Sequence, residues 1–187
     1  MFGLYIILLG IFLALLEIEI EGEHGWAAKL PTWRRVFPSL PLSFLRNMTG
    51  YHITLFAMIL VLNHVVFIGM VEQYTLGHEL FILAFHLFLI IYWDFLWFVL
   101  NPHFTLKKFQ KQYVPWYQHV EWKLGGPMDY WYALSLSVAC LIIGHLFTGD
   151  SRIVDQYVVT FVASIVVIFI AIIVSPRYGR WYFFMRK

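Results

Sequence analysis

This sequence reads as an all-α integral membrane bundle of five transmembrane helices with interfacial segments on its cytoplasmic side. Three observations lead there. Of 187 residues, 61% are hydrophobic, 20% aromatic and only 13% charged, whereas a soluble domain carries about 25% charged residues. Several apolar stretches reach the roughly 20 residues that a helix needs to cross about 30 Å of hydrocarbon. Finally, Lys and Arg are distributed unevenly between those stretches, as they are around membrane helices.

Five stretches have the required length: Met1 to Ile20, Tyr51 to Met70, Leu80 to Leu100, Tyr130 to Phe147 and Val154 to Val174. They are expected to be helical because lipid offers no partner for free backbone N–H and C=O groups. The first lacks a basic leader and runs into acidic residues instead of a small-residue cleavage site, so it reads as a retained helix and not a signal peptide. The loop after it carries Lys29, Arg34, Arg35 and Arg46; the loop after the third stretch carries Lys107, Lys108, Lys111 and Lys123; the tail carries Arg177, Arg180, Arg186 and Lys187. In a five-helix arrangement all twelve lie on one side and Arg152 alone on the other. Cytoplasmic loops hold the excess of basic residues. The N-terminus is therefore expected outside and the C-terminus in the cytoplasm, with the chain in the cell (inner) membrane as one domain, 1–187.

The two long basic loops are rich in aromatics. Gly25 to Gly50 contains Trp26, Trp33, Phe37 and Phe44 with Pro31, Pro38 and Pro41, and Asn101 to Asp129 contains Phe104, Phe109, Trp116, Tyr117 and Trp122. Aromatics beside Lys and Arg favour the headgroup region. Both loops, and the tail Tyr178 to Lys187, are expected to lie on the inner surface and roof the bundle. The single cysteine, Cys140, permits no internal disulfide, and no basic stripe supports nucleic-acid binding. Serine-hydrolase, nucleotide-loop, His-Glu-x-x-His, dinucleotide and channel-filter motifs are all missing.

Ionisable residues inside a span cost several kcal/mol unless paired or hydrated, so each raises a functional question. At a rise of about 1.5 Å per residue, Glu17 and Asp94 both fall roughly 10 Å from the midplane on the cytoplasmic side. His52 lies slightly nearer the cytoplasm, at the start of the second helix. Glu17, Glu21 and His24 fall within a roughly 60° arc of a helix, while Glu19 and Glu23 point away. That arrangement of carboxylates with a Glu-x-x-His resembles half of a bundle di-iron site, in which two such motifs occur. Gly22 and Gly25 mark a place where the helix could end before His24, and the alternative is an acidic helix end solvated at the surface. Asp94 lies between Trp93 and Trp97 on a polar face that also includes His86 and Asn101; it reads as a carboxylate held by indole N–H donors or a cation, or as a structural hydrogen bond. His64 and His86 share a depth nearer the midplane and admit three roles: haem ligands, proton relay or interhelical hydrogen bonds. We expect no haem. His145 carries no motif, and His103, His119 and Glu121 read as interfacial.

Two segments, Glu21-Gly22-Glu23-His24-Gly25-Trp26 running on to Leu30-Pro31-Thr32-Trp33-Arg34, and Trp93-Asp94-Phe95-Leu96-Trp97-Phe98-Val99-Leu100-Asn101-Pro102, resemble an uncharacterised family of small bacterial polytopic membrane proteins. The resemblance implies a membrane location and transfers no activity or site residue.

The functional expectation is a membrane metalloprotein, an enzyme acting on a lipid or apolar substrate at the cytoplasmic side. Glu17, Glu21, His24, His52 and Asp94 are the candidate ligands for a divalent metal (Fe, Mn or Zn), with Asp94, Glu17 and His52 as candidate catalytic groups. Oxygen donors with neutral imidazoles suit those ions. The alternatives are a proton or cation translocator using Glu17, Asp94, His64 and His86, and a non-catalytic subunit of a membrane complex. Expected partners are the lipid bilayer, the apolar substrate, and a second copy or membrane-complex partners.

Overall fold

A computed structural model describes residues 1–37 and 46–187; Pro38, Pro41 and Phe44 of the first basic loop lie outside the described residues. Among the described residues five long helices stand out: α1 (Phe2–Glu21), α2 (Gly50–Ile68), α3 (Leu76–Leu100), α4 (Met128–Thr148) and α5 (Ser151–Met185). Each is long and apolar enough to cross a membrane, so the chain is an all-α, multi-pass membrane protein. Two small antiparallel ribbons sit in the long loops. Arg34–Val36 pairs with Asn47–Thr49, and Trp122–Lys123 with Gly126–Pro127.

The helices follow the apolar stretches to within a few residues, with two departures. α3 starts at Leu76, four residues before Leu80, because Thr75 and His78 form a reciprocal N-terminal cap. α5 runs past Val174, through Pro176, to Met185. Proline cannot supply the N–H that the carbonyl four residues earlier would accept. Here the Ser175 hydroxyl donates to that carbonyl, on Ile172, at 3.1 Å, and the helix continues. The tail expected as a separate interfacial segment is therefore the last turns of α5, with Tyr182 buried and Arg186 3.7 Å from Glu19.

α3 is the central helix, two-thirds buried along its apolar window while the other four are buried over a third or less. Lipid gives no hydrophobic reason for helices to associate, so close backbone approach at small residues takes its place. A Cβ on Gly144 of α4 would lie 3.0 Å from the Gly77 carbonyl oxygen of α3 and 3.2 Å from the Phe81 ring. A Cβ on Gly10 of α1 would lie 2.5 Å from the Tyr92 ring. Gly144→Val should push α3 and α4 apart and cost about 1–3 kcal/mol, the usual penalty of overpacking. Thermal unfolding in detergent reads this, and an unchanged midpoint would contradict the tight α3–α4 seam.

α2 buries Leu55, Ile59 and Phe67 in the apolar core and is also held by polar bonds. Asn63, fully buried, accepts from the Tyr5 hydroxyl at 3.1 Å and donates to His86 Nδ1 at 3.3 Å. His64 donates through Nδ1 to the Leu60 carbonyl at 2.7 Å, and its Nε2 lies 2.9 Å from Glu79. The Tyr74 hydroxyl donates to the same carboxylate at 2.5 Å. His64 and His86 therefore bond to different partners, not to a shared group between them.

Candidate metal centre

Trp26, from the loop after α1, and Trp116 and Tyr117, from the loop after α3, line the candidate centre at one end of the bundle. Glu17 and Glu21 are one turn apart, so both carboxylates leave α1 on the same side. α1 then stops, because Gly22 takes φ +61°, a left-handed conformation that glycine adopts at little cost. Gly25, Trp26 and Ala27 follow with φ between 48° and 56°. For Trp26 and Ala27 that conformation costs about 1–2 kcal/mol each, and hydrogen bonds offset it. The Glu21 carboxylate accepts from the Ala27 N–H at 2.5 Å, and Arg34 donates to the Trp26 and Ala27 carbonyls. Asn101, at the end of α3, donates to the Gly22 carbonyl at 2.7 Å. The Trp26 indole donates to the Asn47 carbonyl at 2.8 Å, which lays its ring on His52 with centroids 4.0 Å apart.

His52 occupies the first turn of α2, whose N-cap Thr49 accepts from the His52 N–H at 3.2 Å. The same Thr49 oxygen lies 2.7 Å from His52 Nδ1. With the proton on Nδ1 donated to Thr49, the Nε2 lone pair faces the carboxylates, the orientation that a metal-bound imidazole requires. His52 Nε2 is 3.6 Å from Glu21 Oε1. One ligand atom each from Glu17, Glu21 and His52 lies within 4.8 Å of the others, and all three side chains are buried.

Asp94 shares a cavity with this trio, and its walls include Trp93, Trp97, Trp116, Tyr117 and Tyr130. Its Oδ2 accepts from the Tyr117 hydroxyl at 3.1 Å and from the Tyr130 hydroxyl. Burial, then the neighbouring Asp94 charge, pushes the Tyr117 phenol well above its usual range, so it stays a proton donor. The Tyr51 hydroxyl donates to Glu17 at 3.4 Å. Trp93 neighbours Glu17, yet its indole N–H, like those of Trp97 and Trp116, completes no hydrogen bond among the described residues. The cavity gives the centre of a water molecule about 30 Å³, enough for roughly two waters, or an ion with a water.

Of the residues singled out from sequence, the structure brings Glu17, Glu21 and His52 together and places Asp94 in the lining of the same cavity. His24 stands apart: Gly22 ends the helix before it, so the shared arc with Glu17 and Glu21 is lost, and its Nε2 sits 3.4 Å from Glu23. His119 is exposed, and Glu121 pairs with Lys123 at 3.0 Å. His103 lies edge-on to Tyr182 and Phe183. His145 is at the far end of α4. Sequence reasoning missed Thr49, Tyr130 and Asp129, all of which line or brace the site. Thr49 stands three residues before His52, an N-cap spacing that could have revealed it.

Compared with known proteins, the chain matches no family profile, no curated protein and no solved structure to a significant degree. The geometry of the site therefore carries the functional reading.

Proposed function

We propose that this protein is an integral membrane metalloenzyme acting on a lipid or other apolar substrate at the cytoplasmic side of the cell (inner) membrane. The observation that carries the reading is the buried trio Glu17, Glu21 and His52, with ligand atoms within 4.8 Å of one another. Two carboxylates close together in a low-dielectric interior repel each other and lose hydration. A divalent cation removes both costs, and this oxygen and nitrogen set suits Fe, Mn or Zn. Such an ion, when bound, would polarise a substrate oxygen or lower the pKa of a bound water. The residues around it divide the remaining work. Thr49 and Trp26 fix the His52 ring, Asp94 in the same cavity would serve as acid or base, and Tyr117 and Tyr130 hold Asp94 in position. Trp93, Trp97 and Trp116 line the same cavity with indole N–H groups unpartnered among the described residues, which could serve as donors to oxygen ligands of a bound ion.

Cobalt(II) offers a direct probe. The purified protein loaded with cobalt should show visible bands of a low-symmetry oxygen and nitrogen site. A spectrum identical to that of the aqueous ion would count against the centre. Orientation is tested separately: a reporter fused after Lys187 should be active in the cytoplasm, and one inserted near Asp150 should report the outside. The reverse pattern would move the centre to the outer face.

A second reading, a proton relay, has one observation in its favour: the buried Tyr5–Asn63–His86 chain beside the His64–Glu79 pair. Proton flux into liposomes that is abolished by Asn63→Leu, in protein holding no metal, would favour it over the enzyme.

A further inference from the structure

α4 and α5 are joined by the short Gly149–Asp150 turn at the end of the bundle remote from the metal centre. Both lie against α3 but scarcely touch each other. Near the turn they are fastened: the Tyr157 hydroxyl donates to Ser137 Oγ at 2.6 Å, and Ser137 donates to the Ala84 carbonyl of α3 at 2.6 Å. Beyond that fastening a half-open cleft of about 200 Å³ lies between the two helices over the α3 surface. Tyr92 and Phe95 form its floor, Tyr130 and Leu134 one wall, and Phe161 and Ser164 the other. No polar atom reaches its surface. Ile91 and Tyr130 line both this cleft and the carboxylate–imidazole cavity, and the Tyr130 hydroxyl is bonded to Asp94.

We propose that this cleft holds one hydrocarbon chain of a membrane amphiphile, with Tyr130 as the partition between the chain and the polar centre. A carbon-walled cleft among helices that cross a bilayer meets hydrocarbon chains at their bulk concentration, and filling it restores the dispersion contacts that an empty cleft forfeits. The position adds a chemical consequence. A chain seated there has part of its length one side-chain thickness from Asp94, so the substrate class is a long-chain lipid approached from the side, not a water-soluble molecule entering through the loops. As a substrate site this rests on the metal-centre reading; as a lipid site it does not.

The test uses the full chain in nanodiscs containing a phospholipid with a diazirine on its acyl chain. Photolabelled residues are mapped by mass spectrometry, and metal is measured in the same preparation. Phe169 and Ile173 of α5 are 63% and 73% exposed, whereas Phe161 and Leu134 are only half-buried. Lipid that merely surrounds the protein would label in order of exposure. A seated chain should label Phe161 and Leu134 above Phe169 and Ile173. Leu134→Trp, which fills the cleft, should bring Phe161 labelling down to the level of its neighbours while metal content stays unchanged. Ser164→Leu should do the same from the other wall and serves if the tryptophan variant fails to fold. Labelling that follows exposure, or that ignores both variants, overturns the proposal. Selective labelling of protein that holds no metal would sustain the lipid site and remove its role in substrate binding.

Discussion

His52→Ala should lower the metal affinity of the purified protein by more than about 100-fold, since losing even an outer-sphere partner of a ligand typically costs about 10- to 100-fold. His52 is the cleanest of the three proposed ligands to remove. Glu21 also accepts the Ala27 N–H, so its loss would disturb the strained loop as well as the ion. Glu17 is tied to Tyr51, and Glu17→Ala should lower metal content with a smaller structural cost. The imidazole, by contrast, contributes its ring face to Trp26 and its Nδ1 to Thr49, both of which can shift without losing a backbone bond. Thr49→Val should weaken binding by about 10- to 100-fold through loss of ring orientation alone. Glu19→Ala is the control: its carboxylate faces Arg186 at 3.7 Å and is half exposed, so metal content should not change. Because the ligands must shed protons to bind the ion, affinity should fall as the medium is acidified. Equilibrium dialysis against a divalent cation reads all four variants.

Asp94→Ala should be costly in two separable ways. It orphans two buried hydroxyls, those of Tyr117 and Tyr130, and each unsatisfied group costs about 1–3 kcal/mol. It also removes the carboxylate that shares the cavity with the proposed centre, which on this proposal should abolish turnover and lower metal content. A second substitution separates the effects. In the Asp94→Ala background, Tyr130→Phe removes one orphaned hydroxyl and should recover stability, whereas activity should not return. In the wild-type background, Tyr130→Phe should reduce stability instead. That reversal is the signature of a direct interaction in a double-mutant cycle. If Tyr130→Phe has the same effect in both backgrounds, the tyrosine does not act through Asp94.

The five spans were legible because lipid imposes a simple requirement, an unbroken apolar helix of sufficient length. What hydropathy could not convey is which helix is central. α3 is no more apolar than α1, and its position comes from Gly77 meeting Gly144 and from Gly10 beneath Tyr92. The end of α5 was hidden by Pro176, whose effect depends on whether a neighbouring hydroxyl takes over the freed carbonyl, as Ser175 does. Similar depth is expected for Glu17 and Asp94 from residue counts, and both side chains line a common cavity. Depth says nothing about rotation, however, so the donors facing Asp94 came only with the three-dimensional arrangement. His24 illustrates the opposite failure. Its place in the helical arc was arithmetically sound, and a single left-handed glycine at Gly22 removed it.

Elemental analysis of the wild-type protein, purified without chelator from metal-replete cells and compared with His52→Ala and Glu19→Ala, bears most directly on the metal centre. The expected result is about one divalent ion per folded chain, retained in Glu19→Ala and lost in His52→Ala. Folded wild-type protein holding no more metal than the His52→Ala variant would contradict the centre, and with it the enzyme built around it.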